Sequence, residues 1–390
     1  MLGQAVYGVV ALVVLVYLVR AAYIKVTHPF WSRLPIHHSY NILNRVRPPG
    51  VIADEPAERL RWVNDTNIKT VRCDRLSKEQ KENIVRFLED NTATRSSVSY
   101  KPTTRSVFSY YNAHSQPAFV SMYREKHHGS FPDDTINPTL GIIMSRPLTV
   151  RICGERLSTH LVENLVLGKG RGRDADEIAP ELIYTTVYRQ PESRTCMFVR
   201  RGKLGIPVET LTSYKVLFFS TLGWENRRSL PASHQVKAMD VKSLFTVREA
   251  LRDSVLGRFK CVAMPAWDNI SELVATRNLF IYTLSSNGTT LALYLFKDPA
   301  TVQSGGRVIE CIGSANLCGS AGLFASGFND VLRDFRQSHG NVLVHRVADS
   351  ATLIDAIQVK HRARDATDHH VFLYNYVHPR VTSGECLMIY

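Results

Sequence analysis

Residues 163–183 read ENLVLGKGRGRDADEIAPELI, and the parsing of that stretch decides the fold. Its front belongs to LVENLVL (161–167), an apolar run of strand length. A tight basic loop, GKGRGR, follows. IAPELIYTTVYRQ (178–190) then reads as a helix with Pro180 near its start, where the missing N–H costs little. Strand, Gly-rich loop and helix together make a phosphate-binding arrangement, because free N–H groups in the loop and at the helix start can cradle a pyrophosphate. The loop by itself is a weak signal, so the flanking sequence has to carry the assignment.

Upstream, TLGIIMS (139–145) reads as a strand, SRPL as a turn and TVRIC (149–153) as a return to β. SKEQKENIVRFLEDN (77–91) has helical periodicity behind an N-cap at Ser77. Residues 20–60 look irregular, with a turn at RVRPPG (45–50), and 92–137 read as a loop region with short helices. Downstream, RTCMFVR (194–200) is a strand. Beyond 215, helices are expected at 241–257, 268–278, 322–340 and 350–357. Strands are expected at 279–285, 290–296, 307–313, 341–347, 370–377 and 386–390. The second half looks like a repeat of the first in element order, without a sequence-level repeat. The class is α+β.

Residues 2–19, LGQAVYGVVALVVLVYLV, are apolar all round, and with the following AAYI they can cross a hydrocarbon core about 30 Å thick. No cleavage site is evident, so a retained anchor is expected. Arg20, Lys25 and Arg33 follow the span, which by the positive-inside rule puts the body on the cytosolic side. The seven cysteines have irregular spacing and match no zinc pattern, as suits free thiols in a reducing compartment. Asn64, Asn269 and Asn287 start glycosylation patterns that matter only for the opposite topology. The net charge of +13 is scattered in ones and twos, which argues for a solvated basic surface near anionic lipid rather than for specific nucleic-acid binding. No HExxH, GxSxG or P-loop occurs, and the doublets His37-His38, His127-His128 and His369-His370 point to opposite strand faces, so no metal is expected. Asp133-Asp134 reads as turn chemistry and Tyr110-Tyr111 as core.

Four stretches together give a specific resemblance. HPFWSRLPIHHSYN (28–41) resembles the Phe-Trp-x-x-Gln-Pro-Val opening of the N-myristoyltransferases. GIIMSRPLTVRI (141–152) is similar to their Gly-Phe-Ile-Ser-x-x-Pro strand pair. ENLVLGKGRGRDADEIAPELI looks like their Asn-Phe-Leu-Cys-Val-His-Lys strand and Ala-Pro-x-Leu-Ile helix. FLYNYVHPRVTSGECLMIY (372–390) resembles their Tyr-Leu-Tyr-Asn-Trp strand and short tail. The order is kept from residue 28 to the last residue, and the chain is similar to divergent forms encoded by large DNA viruses.

The resemblance implies two tandem GNAT-like lobes behind a transmembrane helix: an anchor at 1–24, an acyl-CoA lobe at 25–214 and a peptide-side lobe at 215–390. It implies transfer of a myristoyl group from coenzyme A, a co-substrate rather than a resident cofactor, to an N-terminal glycine amine. Carried over position by position, the backbone N–H groups of Leu165 and Val166 would hold the thioester oxygen. The Tyr390 carboxylate would take the ammonium proton. His28, Phe30, Trp31 and Ala179 would touch coenzyme A, and Lys169, Gly170, Arg171, Gly172 and Arg173 would face its phosphates.

The sequence departs from the family at several ligand-facing positions. Asp174, Asp176 and Glu177 stand where the family has a basic run, and Leu34 stands where its opening motif has Gln. NTATRSSVSYKP (91–102) lacks the acids that receive basic peptides. ARDATDHH (363–370) replaces Gly-Asp-Gly, and Val216 replaces a His. The alternative reading is therefore a catalytically inactive member of the fold, a membrane-linked scaffold binding other structural proteins, in a virion or elsewhere. The chain begins Met-Leu-Gly and so lacks the Met-Gly start of a myristoylated substrate.

Overall fold

The computed structural model describes residues 2–390 except 42, 43, 45, 93–97, 125–138, 170–174, 191–193, 222, 223, 225–229, 251–254 and 256. The chain opens with the helix Leu2–Thr27, longer than the apolar run alone. From Tyr7 onward its 21 residues are long and apolar enough to span a bilayer. At 1.5 Å per residue they reach about 31 Å. Val9, Leu12, Val13, Val16 and Val19 are all exposed, so the body does not shelter this helix.

Among the described residues the body is built on one 16-stranded sheet. Its spine runs Cys386–Met388, Cys261–Met264, Thr139–Ile152, Glu155–Leu167, Cys196–Arg201, Asp365–Tyr374, Thr212–Ser220, Asn341–His345, Gly306–Asn316, Thr289–Lys297, Leu279–Ser286 and His234–Ala238. Ile68–Arg72 and Phe119–Arg124 branch from the Thr139–Ile152 strand. The boundary expected at 214/215 falls inside the Thr212–Ser220 strand, so both halves contribute to one sheet.

Local chemistry explains the elements. Ser77 caps the Lys78–Asn91 helix in a capping box with Gln80, and Ile84, Val85 and Leu88 face the core. Leu279–Ser286 and Thr289–Lys297 form a hairpin across Asn287-Gly288, both at positive φ (49° and 78°), as a two-residue primed turn requires. The helix Ala175–Tyr188 packs Ile178 and Leu182 onto the sheet at Gly141. A methyl group at Gly141 would lie 2.7 Å from Leu182 Cδ1, so only glycine lets helix and strand approach this closely.

Several expectations need correction. SRPL is not a turn: Thr139–Ile152 is one strand of 14 residues running through Pro147. Pro147 pairs with His160 on one side. On the other side Phe119–Arg124 ends at Ser145 and Cys261–Met264 begins at Thr149, so the ring sits in a gap where no N–H is needed. Pro180 is not at the helix start but is its sixth residue. Residues 92–137 are not only loop and short helix, since Val98–Tyr100 and Phe119–Arg124 are strands there. Ile68–Arg72, Thr212–Ser220, His234–Ala238 and Cys261–Met264 are strands that periodicity did not announce. Helix 241–257 is described only as Leu244–Ala250.

Candidate active site

The site begins where two strands part. Glu155–Leu167 pairs along its length with Thr139–Ile152, but in parallel with Cys196–Arg201 only over His160–Val162. Past Val162 and Phe198 that pairing ends, and Cys196–Arg201 continues alone against Asp365–Tyr374. Among the described residues, 163–167 therefore have one edge without a strand partner. A β-bulge lies in the same stretch. From Met144 to Ile142 is two steps, while from the facing Glu163 to Val166 is three, and Asn164 takes up the extra residue at φ 55°. A bulge leaves its extra residue outside the ladder and kinks the strand. Leu165 is 40% exposed, whereas Val166 packs toward the core. Leu165 and Val166 follow directly on the bulged Asn164, with Val166 back in register against Ile142.

The chain end lies at the opposite side of the same region. Cys386–Met388 is the edge strand of the spine, yet Cys386 through Ile389 are buried. Ile389 N–H donates to the Ala263 carbonyl (2.7 Å). Tyr390 is half-buried: its main-chain oxygen accepts from Lys297 Nζ (3.4 Å), and its hydroxyl meets those of Tyr214 (3.5 Å) and the Met388 sulfur (3.2 Å). A void of about 10 Å³, roughly one water, lies between Tyr390, Ile389, Lys297 and Tyr110. Behind it stands a buried ionic group. Lys297 Nζ lies 3.4 Å from Glu310 Oε2, and His345 Nε2 lies 2.5 Å from Glu310 Oε1. Burial alone would raise the Glu310 carboxyl, but Lys297 and His345 hold it well below the usual range. Burial lowers His345 in turn, so a neutral imidazole donates to an ionised Glu310.

Between the parted strand and Tyr390 lies a polar group that sequence reasoning missed. Arg146 is 1% exposed and its Nε donates to Glu163 Oε1 (2.6 Å). Tyr111 O–H donates to the same oxygen (3.0 Å), and Asn164 Nδ2 donates to the Tyr111 hydroxyl (3.0 Å). The guanidinium lies 5.2 Å from the Tyr110 ring, and Tyr110 in turn borders the void at Tyr390. Burial works against the Arg146 charge, but Glu163 more than offsets it and the pKa is raised. The available signal was a charge inside each of two apolar strands, GIIMSRPL and LVENLVL. Tyr110 and Tyr111, read as core, are members of this group.

The expected coenzyme side divides. Phe30 is buried edge-on against Trp31 (5.0 Å) and Trp62 (5.1 Å), and Trp31 meets Phe372. These rings pack with Ile178 and Leu182 of the Ala-Pro helix. His28 is half-buried at the end of the first helix, its N–H bonded to Ile24, and Ala179 is half-buried in the helix. Lys169 meets the end of the Lys78–Asn91 helix: its ammonium donates to the Asp90 carbonyl (2.8 Å) and its N–H to Asn91 Oδ1 (2.9 Å). Gly170, Arg171, Gly172, Arg173 and Asp174 lie outside the described residues, as do His127-His128 and Asp133-Asp134. Among the described residues no three metal-ligating side chains converge, and all seven cysteines are free. Asn269 is fully buried, donating to the Ser109 and Asn112 carbonyls, so it cannot carry a glycan in this fold.

No protein-family model and no curated protein matches the chain by sequence. Solved structures do match. Saccharomyces cerevisiae N-myristoyltransferase with bound myristoyl-CoA superposes with a TM-score of 0.68 at 12% identity, covering 92% of this chain and 94% of that one. The same enzyme bound to myristoyl-CoA and inhibitors gives 0.68 and 12% over 93% and 94%. At that identity the likeness establishes architecture alone: the chain has the fold of the N-myristoyltransferases.

Proposed function

We propose that the protein is a membrane-anchored acyltransferase that moves a fatty acyl group, myristoyl in the first instance, from coenzyme A to an N-terminal glycine amine. One observation carries the reading: the strand that parts from its neighbour after Val162 is also the strand bulged at Asn164. A thioester lying in that gap would place its carbonyl oxygen at the Leu165 and Val166 amides. Those donors are fixed before the reaction, so polarising the carbonyl needs no reorganisation. The acceptor amine attacks the carbonyl carbon directly, and the C–S bond breaks to release coenzyme A. A carboxylate must take the ammonium proton, whose ordinary pKa is about 8. The family resemblance assigns that task to Tyr390. Residues 2–27 hold the body at the membrane, with residues beyond 27 on the cytosolic side.

The test is thermal melting of the full chain in detergent with and without myristoyl-CoA, followed by transfer of labelled acyl group to a glycyl peptide. Ligand at a hundredfold above Kd adds about 2.7 kcal/mol. Absence of any shift at millimolar ligand overturns the reading.

A second reading, a catalytically silent scaffold on the same fold, is favoured by the void of about 10 Å³ beside Tyr390. Ligand pockets usually enclose roughly 300 Å³ or more. It predicts that a residue added after Tyr390 leaves biological function intact, whereas the transferase reading predicts loss with folding preserved.

A further inference from the structure

We infer that the open edge of the strand Ile68–Arg72 is a docking site for an acidic polypeptide segment, which adds to the sheet there as a further β-strand. Among the described residues this strand pairs on one side only, with Phe119–Arg124. The Arg124 N–H donates to the Asn67 carbonyl (2.8 Å) and the Cys73 N–H to the Ala118 carbonyl (2.8 Å), so the odd-numbered residues bond across that ladder. In an antiparallel pair the residues between them face the other way. The Ile68 N–H is taken by the Asn64 carbonyl (3.0 Å). The Ile68 carbonyl and both main-chain groups of Thr70 are thus directed at the open edge. A groove of about 390 Å³ runs there and touches all five residues of the strand. Successive side chains point to opposite faces, so a groove that meets all five follows the edge rather than one face.

Charge selects the occupant. Lys69, Arg72, Arg75 and Arg189 line the groove against one carboxylate, Asp65, which bonds Arg189 (2.5 Å). Asp74 pairs with Arg72 (2.6 Å) just outside, and positive charge still remains in excess. Pairing with the same edge of a second copy would set those cations against themselves, and like charges across a ladder are destabilising. A segment with carboxylates on alternate residues meets the cations instead, while its main chain bonds Ile68 and Thr70. Main-chain bonds then supply affinity and side chains supply selection, as in strand addition generally. The docking edge is separate from the candidate thioester gap. Lys69, Met122, Ile142 and Val166 form one row across the sheet, with two strands between the first and the last. Three strand spacings put them about 14 Å apart.

The test uses the full chain in detergent and a short labelled peptide of alternating glutamate and valine, acetylated and amidated so that it offers no amine for acylation. Fluorescence anisotropy measures binding, which should weaken with added salt. Amide hydrogen exchange at Thr70 should slow about tenfold or more when the peptide is bound. Thr70→Pro removes an N–H that the protein's own ladder does not use. It should weaken binding about tenfold, the worth of one hydrogen bond. The same peptide N-methylated throughout keeps its charge and loses its strand donors, and it should bind more weakly still. Lys69→Glu with Arg75→Glu should weaken binding about tenfold or more, with folding checked by melting. Should Thr70→Pro fail to fold, the N-methylated peptide and the charge reversal decide. Equal binding of the N-methylated peptide, or Thr70 exchange that the peptide does not slow, reduces the groove to a charged patch and overturns the inference. So does the absence of binding at millimolar peptide. A dimer that Thr70→Pro abolishes, with no peptide bound, assigns the edge to a second copy and overturns it as well. None of these outcomes bears on the transferase reading.

Discussion

Lowering the pH from 7 to 5 should destabilise this protein by several kcal/mol, through histidines rather than acids. His369 and His378 are 6% and 2% exposed. Burial, then the charges of His345 and Arg201, lowers His369 to about 2. Burial, then His37, lowers His378 to about 4. Unfolded, each returns to a pKa near 6.5. Between the folded and unfolded values the unfolded chain binds more protons, so stability is full above pH 6.5 and falls as the pH drops below it. From pH 7 to pH 5 this costs roughly 2 kcal/mol per histidine, or about 4 kcal/mol for the two. His38 and His114, both lowered to about 4 mainly by burial, are less enclosed and add a smaller amount. Glu310 and Asp298, whose folded pKa values are depressed, lose their contribution only as the pH falls below their unfolded range, outside this window. A domain is typically stable by about 5–15 kcal/mol, so the loss is a large share. Urea unfolding of the full chain in detergent at pH 7, 6 and 5 measures it, and His369→Gln should remove about 2 kcal/mol of the pH dependence. A change below about 1 kcal/mol between pH 7 and pH 5 would show that these imidazoles are not buried as described.

Gly141→Ala should cost about 1–3 kcal/mol, read by denaturant midpoint, because the new methyl meets Leu182 at 2.7 Å and Leu167 at 3.0 Å. Arg146→Met alone should cost about 3 kcal/mol by stranding the Glu163 carboxylate, whereas Arg146→Met with Glu163→Met should restore most of that loss; equal destabilisation in both would refute the pairing. Gly327→Ala should destabilise by a similar amount, about 1–3 kcal/mol, since its methyl would run into the Tyr294 hydroxyl oxygen that donates to the Phe324 carbonyl. Deleting residues 1–27 should move the body from the membrane fraction to the soluble one while leaving its melting transition in place, as the helix exposes its apolar side chains and lends the core little.

Much of the fold was legible because apolar patterning and local punctuation agree. Ser77 marks a helix start that holds in space, and the paired apolar runs 279–285 and 290–296 are adjacent antiparallel strands. What was not legible depends on neighbours far along the chain. Pro147 reads as a break unless one knows that the strands on its open side stop at Ser145 and resume at Thr149. The half-polar Ile68–Arg72 is a strand only because Phe119–Arg124 lies beside it. At the candidate site, Leu165 and Val166 were named by resemblance, and the bulge at Asn164 was not foreseen. Glu163 was passed over because its partners, Arg146 and Tyr111, are brought to it by the third dimension alone. Lys169 shows the same dependence: the sequence places it in a Gly-rich loop, while the carbonyl its ammonium meets belongs to a helix end 79 residues earlier.

The position of Asp365–Tyr374 has a consequence for biosynthesis. It lies between Cys196–Arg201 and Thr212–Ser220, strands that follow each other in the chain yet do not touch. A ribosome making 5–20 residues per second needs about 7–30 s to travel the roughly 145 residues from Ser220 to Asp365. Throughout that interval the nascent chain displays two open ladders waiting for the same late arrival. Holding those ladders apart from other polypeptides during the delay is a task for chaperones, and shortening the delay by codon choice should raise the yield of folded protein.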